Sequence, residues 1–263
     1  GRRTTKVVDG VSRTGWFTED FAWAELRTVR ATERLPELRP NNTIYDGRFA
    51  IPTFQEVIDL ALRHGVGIYP ETKHPTYFDS IGLSLDGPLV AALRANGLDR
   101  PGARVFVQSF ETANLRRLRT VLRVPLIQLI GGTAPYDVLA AGRPFTGADL
   151  LTPTGLRRIA RYADGIGPDK DLVVPRDARG HRLEPTSVVD DAHRAGLLVH
   201  PYTFRAENTF LPAPLRIGAE PARYGDVAAE FELFFGLGVD GVFADQPDIA
   251  TYARRLGVAT SAA

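Results

Sequence analysis

From residue 51 onward, helical and extended patterns alternate along the chain, and this alternation limits the fold more than any other feature of the sequence. Stretches with apolar residues at helical spacing are each followed by a short run of apolar residues and glycine. Helices that alternate with strands through mostly short connections are typical of a parallel sheet with right-handed crossovers. We therefore expect strands at about residues 68–73, 105–109, 126–130, 165–167, 197–200 and 239–244.

Local signals mark the ends of several of these helices. Thr53 and Glu56 have the spacing of a capping box. Thr152-Pro153 is typical of an N-cap residue followed by proline in the first helical position. Gly65 and Gly196 follow helical stretches directly and are expected to end them. The helix boundaries therefore support the alternation.

Polar side chains recur where the predicted strands end. A closed α/β barrel gathers such strand ends on one face, where barrel enzymes carry their active sites. No Gly-x-Gly-x-x-Gly motif follows an early strand, so a dinucleotide-binding sheet has no support. Six strands are fewer than the eight of a (β/α)8 barrel. The chain therefore has either another α/β fold or a barrel that lacks its first two βα units. The strand-end residues are Glu71, Lys73, Gln108, Ser109, His200 and Asp245.

The pair Glu71 and Lys73 is the most informative of these positions. Side chains alternate along a strand, so residues two apart point the same way. Opposite charges on one face of a short buried strand are costly unless they are paired or bind a metal. The residues alone leave two interpretations open, a salt-bridged strand end and a functional site.

Residues 1–50 show no such periodicity and are predicted to be irregular, with turns at 39–43 and at Asp46-Gly47. Four aromatic residues are concentrated in this part of the chain. They are expected to pack the segment onto the main body, with the lining of a pocket as the alternative. The aromatic residues are Trp16, Phe17, Phe21 and Trp23.

Composition excludes several classes of protein. The 263 residues carry a formal net charge of +1 and no long run of Lys or Arg, which disfavours a nucleic-acid partner. No apolar stretch of about 18 residues is present, so no membrane span is expected. The absence of cysteine excludes disulfides and thiolate chemistry. Because the chain starts at Gly1 and contains no methionine, we expect a fragment or processed product whose export signal, if any, lies upstream.

Several segments resemble motifs of one enzyme family. The segment 69–75, Tyr-Pro-Glu-Thr-Lys-His-Pro, is similar to the third-strand motif of the glycerophosphodiester phosphodiesterases, especially their larger exported bacterial branch. Four further segments resemble later strands of the same family in the correct order: 107–110, 165–168, 199–205 and 241–247. Residues 1–50 resemble the insertion that the family carries after its second strand. The resemblance implies a secreted or periplasmic location.

The resemblance implies a (β/α)8 TIM barrel and a divalent metal, calcium with magnesium as the alternative. The implied reaction is metal-assisted acid–base hydrolysis of a glycerophosphodiester, a small molecule, to glycerol 3-phosphate and an alcohol. The family's His-Arg-Gly, Glu-x-Asp and second histidine have no counterpart here, since His193-Arg194-Ala195-Gly196 lies late in a helix. We therefore expect residues 51–263 to supply barrel strands three to eight, without the first two βα units, and residues 1–50 to pack on them. This chain by itself is expected to lack diesterase activity.

The resemblance also assigns roles to individual residues. It implies Glu71 as a metal ligand and Lys73 as a contact to the phosphoryl group, in accord with the preference of hard cations for carboxylate oxygen. Tyr202 and Phe204 are implied as substrate contacts, with a core tyrosine as the alternative for Tyr202. Arg205, Asn208 and Phe210 are weaker candidates for the pocket lining. We assign no histidine as general acid or base and expect a structural role for His200.

Three alternatives remain open at this stage. A related barrel acts on lysophospholipids, sphingomyelin or teichoic-acid glycerophosphate, with phospholipase D-like chemistry in the first two cases. A non-catalytic barrel or binding module would keep Glu71 and Lys73 as a structural ion pair. A strand pair from another chain would complete the barrel.

Overall fold

The computed structural model describes residues 1–143 and 146–260, with the side chains of 256–260 excluded. Its strands fall into an N-terminal hairpin and one parallel sheet. The hairpin consists of β1 (Thr4–Val8) and β2 (Val11–Gly15). The sheet consists of β3 (Glu71–Thr72), β4 (Val107–Ser109), β5 (Leu126–Ile130), β6 (Gly165–Pro168) and β7 (Leu198–Val199).

Helices precede the sheet and connect its strands. The helices are α1 (Trp23–Leu26), α2 (Phe54–His64), α3 (Pro75–Ser80), α4 (Asp86–Ala95), α5 (Thr112–Arg119), α6 (Tyr136–Ala140), α7 (Gly147–Leu151), α8 (Pro153–Ile159), α9 (Lys170–Val173), α10 (Val188–Arg194), α11 (Val227–Gly236) and α12 (Pro247–Thr260). Short 3-10 helices lie at Thr18–Asp20, Pro40–Tyr45, Asn208–Phe210 and Ala213–Leu215. None of the helices described has both the length and the apolar content of a membrane span.

The sheet is parallel, and its strands are neighbours in chain order, β3-β4-β5-β6-β7. The predicted sixth strand, 239–244, lies beside β7 without forming a continuous ladder. Asp240 N donates to Val199 O at 3.0 Å, and Phe204 N donates to Phe243 O at 2.8 Å. The described residues thus supply six neighbouring strand positions of a (β/α)8 barrel, and the predicted fold class is confirmed.

Helix ends follow the sequence signals. The Thr53 side chain accepts a hydrogen bond from Glu56 N, and the Glu56 carboxylate accepts one from Thr53 N at 2.7 Å, which completes the predicted capping box of α2. Gly65 ends α2 at a φ of 63°, a conformation that favours glycine. Thr152 caps α8 by accepting from Gly155 N at 3.0 Å. These caps fix the helices that cover the sheet.

The N-terminal region is more regular than predicted. Asp9 and Gly10, both with positive φ, form the two-residue turn between β1 and β2. The expectation of an irregular segment is therefore wrong for this part. Trp16 is 68% exposed and Trp23 is 41% exposed, so the prediction that both tryptophans pack onto the main body is wrong as well.

Charged contacts hold the N-terminal region on the barrel. The Arg39 guanidinium donates to Glu207 at 2.6 Å and to Asp245 at 2.7 Å. The Lys6 ammonium donates to Glu19 at 2.9 Å, and Glu19 also accepts from the Tyr77 hydroxyl on α3. Because Glu207 is fully buried, loss of Arg39 would leave its carboxylate buried without that cationic partner.

A second buried ion pair joins two elements of the barrel. Lys170 on α9 donates to both carboxylate oxygens of Glu230 on α11, at 2.7 and 2.8 Å. Arg176 also donates to Glu230, at 3.2 Å, and pairs with Asp171 at 2.9 Å. Burial lowers the pKa of Lys170 and raises the pKa of Glu230, so each charge depends on the other. The pair ties α9 to α11.

We predict that Glu230→Leu destabilises the protein by about 3–5 kcal/mol, because it leaves the Lys170 ammonium buried without its partner. The double variant Lys170→Met/Glu230→Leu should regain most of that loss, since Arg176 keeps Asp171. Urea unfolding measures both free energies. The exposed Glu232 on the same helix is the control, and Glu232→Ala should change stability by less than about 0.5 kcal/mol. If the double variant is no more stable than Glu230→Leu, the loss of stability does not come from the unpaired Lys170 ammonium, and the prediction is wrong.

Candidate active site

An aromatic layer fills the inner face of the sheet below the ends of its strands. The ring of Tyr69 stacks on Phe106 with 5.0 Å between centroids and meets Phe243 edge-on at 4.8 Å. Phe106 in turn meets the edge of His200 at 5.2 Å. The Tyr69 hydroxyl and His200 Nδ1 are 2.9 Å apart. This cluster, the aromatic floor, lies beneath the polar strand ends.

Glycine at neighbouring positions makes room for the inner side chains. A Cβ on Gly241 would lie 3.0 Å from His200 Cδ2, and a Cβ on Gly167 would lie 2.7 Å from Leu129 Cδ2. The contact at Gly167 is too close for a side chain, and the contact at Gly241 would require the His200 ring to shift. His200 is accordingly buried, and this burial lowers its pKa, while the nearby Asp240 opposes the shift. The expected structural role of His200 stays a prediction that agrees with its place in the floor.

Glu71 and Lys73 lie above the aromatic floor, on the same face of β3 and the residues after it. Their charged atoms, Glu71 Oε1 and Lys73 Nζ, are 3.4 Å apart. The Lys73 side chain is 54% exposed, so its ammonium remains accessible to a ligand. Because Lys73 is this exposed, the pair contributes little to stability as a salt bridge. The structure thus brings the two predicted residues together at the carboxyl end of the sheet.

Two aromatic residues complete the wall around Lys73. Its ammonium lies 5.3 Å from the centroid of Phe110, a cation–π contact. Phe110 meets the ring of Tyr202 edge-on at 6.0 Å, and the Tyr202 hydroxyl donates to Ile130 O at 3.3 Å. Burial raises the pKa of Tyr202, and the negative charges of Asp169 and Glu71 raise it further. Tyr202 therefore remains a neutral phenol beside the charged pair.

Phe204 requires a correction. It was predicted to contact the substrate, but its side chain is fully buried, at 0% exposure. Its ring packs against Phe231 and Phe234 of α11, with centroids 5.0 and 4.8 Å away, between the sheet and the helix layer. A ring with no accessible surface on the far side of the sheet cannot touch a ligand at the strand ends. Phe204 is a core residue.

The weaker candidates on the same loop also have structural partners. Asn208 is buried and bonds the backbone of Ile217 in both directions at 3.0 Å. Arg205 pairs with Asp245 at 2.9 Å and lies over the Phe210 ring at 4.6 Å. Asp245, a predicted strand-end carboxylate, is thus held by two arginines, Arg39 and Arg205. Ser109 donates to Thr72 O at 3.2 Å and is fully buried.

The hairpin contributes residues that the sequence did not point to. Asp9 and Arg13 line a cavity of about 370 Å³ together with Lys73, Phe110 and Tyr136. The Asp9 carboxylate is hydrogen-bonded to His74 Nδ1, which fixes the tip of the hairpin beside the strand end. Asp9-Gly10 is a local hairpin signal. The hydrogen bond between Asp9 and His74 could not be predicted from the sequence pattern, because the two residues are distant in the chain.

Glu111 forms the acidic wall of this cavity. Its carboxylate accepts from Thr76 N at 3.1 Å. Burial raises the pKa of Glu111, and the negative charges of Asp137 and Asp9 act in the same direction. The cavity is therefore lined by an ammonium and a guanidinium group as well as by carboxylates.

The candidate site offers few ligands for a metal ion. No group of three or more His, Cys, Asp or Glu side chains suited to a metal occurs in the described part of the chain. Glu71 fits as one carboxylate ligand of a hard cation, which wants six or more oxygens. The described residues therefore supply part of a ligand set.

The segment that comes nearest to the family's His-Arg-Gly motif, His193-Arg194-Ala195-Gly196, lies away from the candidate site. His193 on α10 bonds Asp240 at 3.0 Å, and its side chain is well exposed. Asp240 precedes the last extended segment, at the amino ends of the strands. His193 thus lies late in its helix, as expected, and on the surface.

Comparison with known proteins gives a consistent result. The model of the "Glycerophosphoryl diester phosphodiesterase family" matches residues 2–249. Glycerophosphodiester phosphodiesterase GDPD6 of Arabidopsis thaliana is 33% identical over 93% of this chain and 66% of its own length. A glycerophosphodiester phosphodiesterase of Haemophilus influenzae is 25% identical over 89% of this chain and 68% of its own length. The chain thus spans about two thirds of these relatives.

Solved structures share the fold. A crystal structure from Silicibacter pomeroyi, assigned by name to the glycerophosphoryl diester phosphodiesterases, aligns with a TM-score of 0.61 at 16% identity, covering 99% of this chain and 78% of that one. A glycerophosphodiester phosphodiesterase from Parabacteroides distasonis aligns with a TM-score of 0.53 at 11% identity, covering 91% and 72%. At these identities the likeness concerns the fold alone.

The buried His200 predicts a pH dependence of stability. Its folded-state pKa is lowered, so below the ordinary value of about 6.5 the unfolded chain takes up the proton more readily than the folded protein. The contribution of neutral His200 to the free energy of unfolding is complete above about pH 6.5 and is lost as the pH falls below that value. We expect the unfolding free energy of His200→Gln to decline less between pH 7.5 and 5 than that of the wild type. A decline for His200→Gln equal to that of the wild type would contradict the prediction.

Proposed function

The chain belongs to the glycerophosphoryl diester phosphodiesterase family, and we propose that it takes part in hydrolysis of a glycerophosphodiester to glycerol 3-phosphate and an alcohol. The observation that carries this proposal is the Glu71–Lys73 pair at the carboxyl end of the sheet. The pair combines a hard oxygen ligand and an accessible ammonium, 3.4 Å apart, above the aromatic floor. Phosphodiester chemistry needs this kind of electrostatic stabilisation.

Lys73 is the proposed phosphoryl contact. Its ammonium is half exposed and is restrained by Glu71 and by the face of Phe110. Held in this way, it can approach a non-bridging phosphoryl oxygen without reorganisation and stabilise the charge that develops there. Tyr202 is the proposed substrate contact beside Phe110, where its neutral phenol donates to Ile130 O and its oxygen can accept a hydrogen bond from a substrate hydroxyl.

Glu71 is the proposed metal ligand. Calcium is the metal we favour, with magnesium as the alternative, because both take carboxylate oxygen. When bound, the cation supplies positive charge that neutralises phosphoryl oxygens. The residues described here bind and orient the diester, and we assign none of their histidines as general acid or base.

Further parts of the proposal concern organisation and location. We propose that residues 1–50 form an insertion packed on the barrel, through Arg39 and Glu19, and that residues 51–263 carry barrel strands three to eight. We also propose a secreted or periplasmic location, which rests on the resemblance of segment 69–75 to the strand motif of the larger exported bacterial branch.

One observation favours a more lipid-like substrate as the second candidate. Trp16 and Trp23 are exposed on the N-terminal region, and exposed tryptophans are suited to an apolar or interfacial partner. Lysophospholipids fit this feature better than glycerophosphocholine does. A non-catalytic barrel that keeps Glu71 and Lys73 as an ion pair is the third candidate.

Removing the charges tests the site directly. In the protein that carries this chain, Lys73→Met should lower kcat/KM for glycerophosphocholine by about 100- to 1000-fold, because one preorganised stabilising charge is lost. Glu71→Gln should weaken calcium binding, measured by calorimetry, by about tenfold or more.

Glu232→Gln on α11 removes an exposed carboxylate away from the strand ends and should change neither quantity. Wild-type protein that binds no calcium would support the non-catalytic barrel instead.

A substrate comparison tests the proposed class. Glycerophosphocholine should be hydrolysed faster than a lysophospholipid or poly(glycerol phosphate), and removal of calcium with a chelator should abolish turnover. Release of glycerol 3-phosphate and choline is measured enzymatically. Faster turnover of the lysophospholipid would favour the second candidate.

A further inference from the structure

Two buried glutamines on neighbouring strands differ in their hydrogen bonding. Gln128 on β5 is fully buried and satisfied, because its Nε2 donates to Phe110 O at 2.9 Å and its Oε1 accepts from the Tyr162 hydroxyl at 2.9 Å. Gln108 on β4 is 7% exposed, and its Oε1 is a buried atom without a partner in the described part of the chain. Buried side-chain oxygens are rarely left in this state, so Gln108 needs an explanation.

The position of Gln108 is set by the sheet register. Gln108 lies directly opposite Glu71 in the parallel ladder between β3 and β4, so both side chains project to the same face. On its own strand, Phe106 two residues earlier belongs to the aromatic floor, and Phe110 two residues later lies under Lys73. Gln108 therefore lies at the level of Glu71, between the floor and the level of Phe110 and Lys73.

The depth of Gln108 matches the dimensions of a glycerol arm. Two residues along a strand span about 6.6 Å. Gln108 therefore lies about this distance below the level of Phe110 and Lys73. A phosphoryl group at Lys73 with a three-carbon polyol directed inward would bring a hydroxyl to this depth. The other ester arm would then point outward to the 370 Å³ cavity under the hairpin.

We propose that Gln108 binds a hydroxyl group of the glycerol moiety and so determines which end of the diester enters the barrel. The proposal rests on the proposed function and specifies its substrate orientation. A hydroxyl can donate to Oε1 and accept from Nε2, so it satisfies both atoms of the amide. A cation would satisfy Oε1 alone, and an apolar group would satisfy neither.

The test measures the binding of two phosphate esters by calorimetry, in the presence of calcium and with the full protein. Glycerol 3-phosphate carries the hydroxyls, and n-propyl phosphate lacks them. We expect the wild type to prefer glycerol 3-phosphate by about 10- to 100-fold, and Gln108→Met, which keeps the side-chain length, to lose that preference. The affinity for n-propyl phosphate and for calcium should stay unchanged.

Gln108→Asn is the second variant, and it should also lose the preference because its amide is too short to reach the same hydroxyl. Gln128→Met is the matched control, since it removes a buried glutamine on the other face of the sheet and should retain the preference, with lower stability. A preference retained in both Gln108 variants overturns the proposal, as does a loss of calcium affinity, which would make Gln108 a metal ligand. If the wild type binds neither ester and hydrolyses no glycerophosphocholine, the proposed function itself fails.

Discussion

The backbone hydrogen bonds between the segment around β3 and β4 are the interaction on which the candidate site depends. Phe106 N donates to Ile68 O at 3.1 Å, and Gln108 N donates to Pro70 O at 2.9 Å. These bonds fix one register, and a shift by one residue would move every side chain of β3 to the other face. The same register sets Tyr69 on the floor and Glu71 above it. A ladder of two residues therefore decides which charges face the barrel interior.

Much of the fold was predictable from local pattern. The strand positions, the capping box at Thr53 and Glu56 and the pairing of Glu71 with Lys73 all rest on residues close in sequence, whose spacing reports their geometry. Fold class and family are confirmed for the same reason. The Asp9-Gly10 turn is also a local signal, although residues 1–50 as a whole show no periodicity and were predicted to be irregular.

The remaining features depend on contacts between distant parts of the chain. The bond between Asp9 and His74 and the bond between Arg39 and Glu207 join residues that no periodicity relates. Phe204 was misassigned because an aromatic residue after a strand suits a pocket wall and a helix interface equally well, and only the packing of α11 decides between them. The orphaned oxygen of Gln108 is likewise visible only once the neighbours of the side chain are known.

The hairpin has a consequence for how this scaffold can diversify. Its strands are held by backbone pairing, and its tip reaches the cavity beside Lys73 without belonging to the sheet. Residues such as Arg13 can therefore change without disturbing either the ladder of the hairpin or the register of β3. In the proposed function, variation in the alcohol of the substrate would fall on this surface, while the residues proposed to contact the phosphoryl group would stay as they are. Alcohol recognition and phosphoryl contact could then change independently in descendants of this chain.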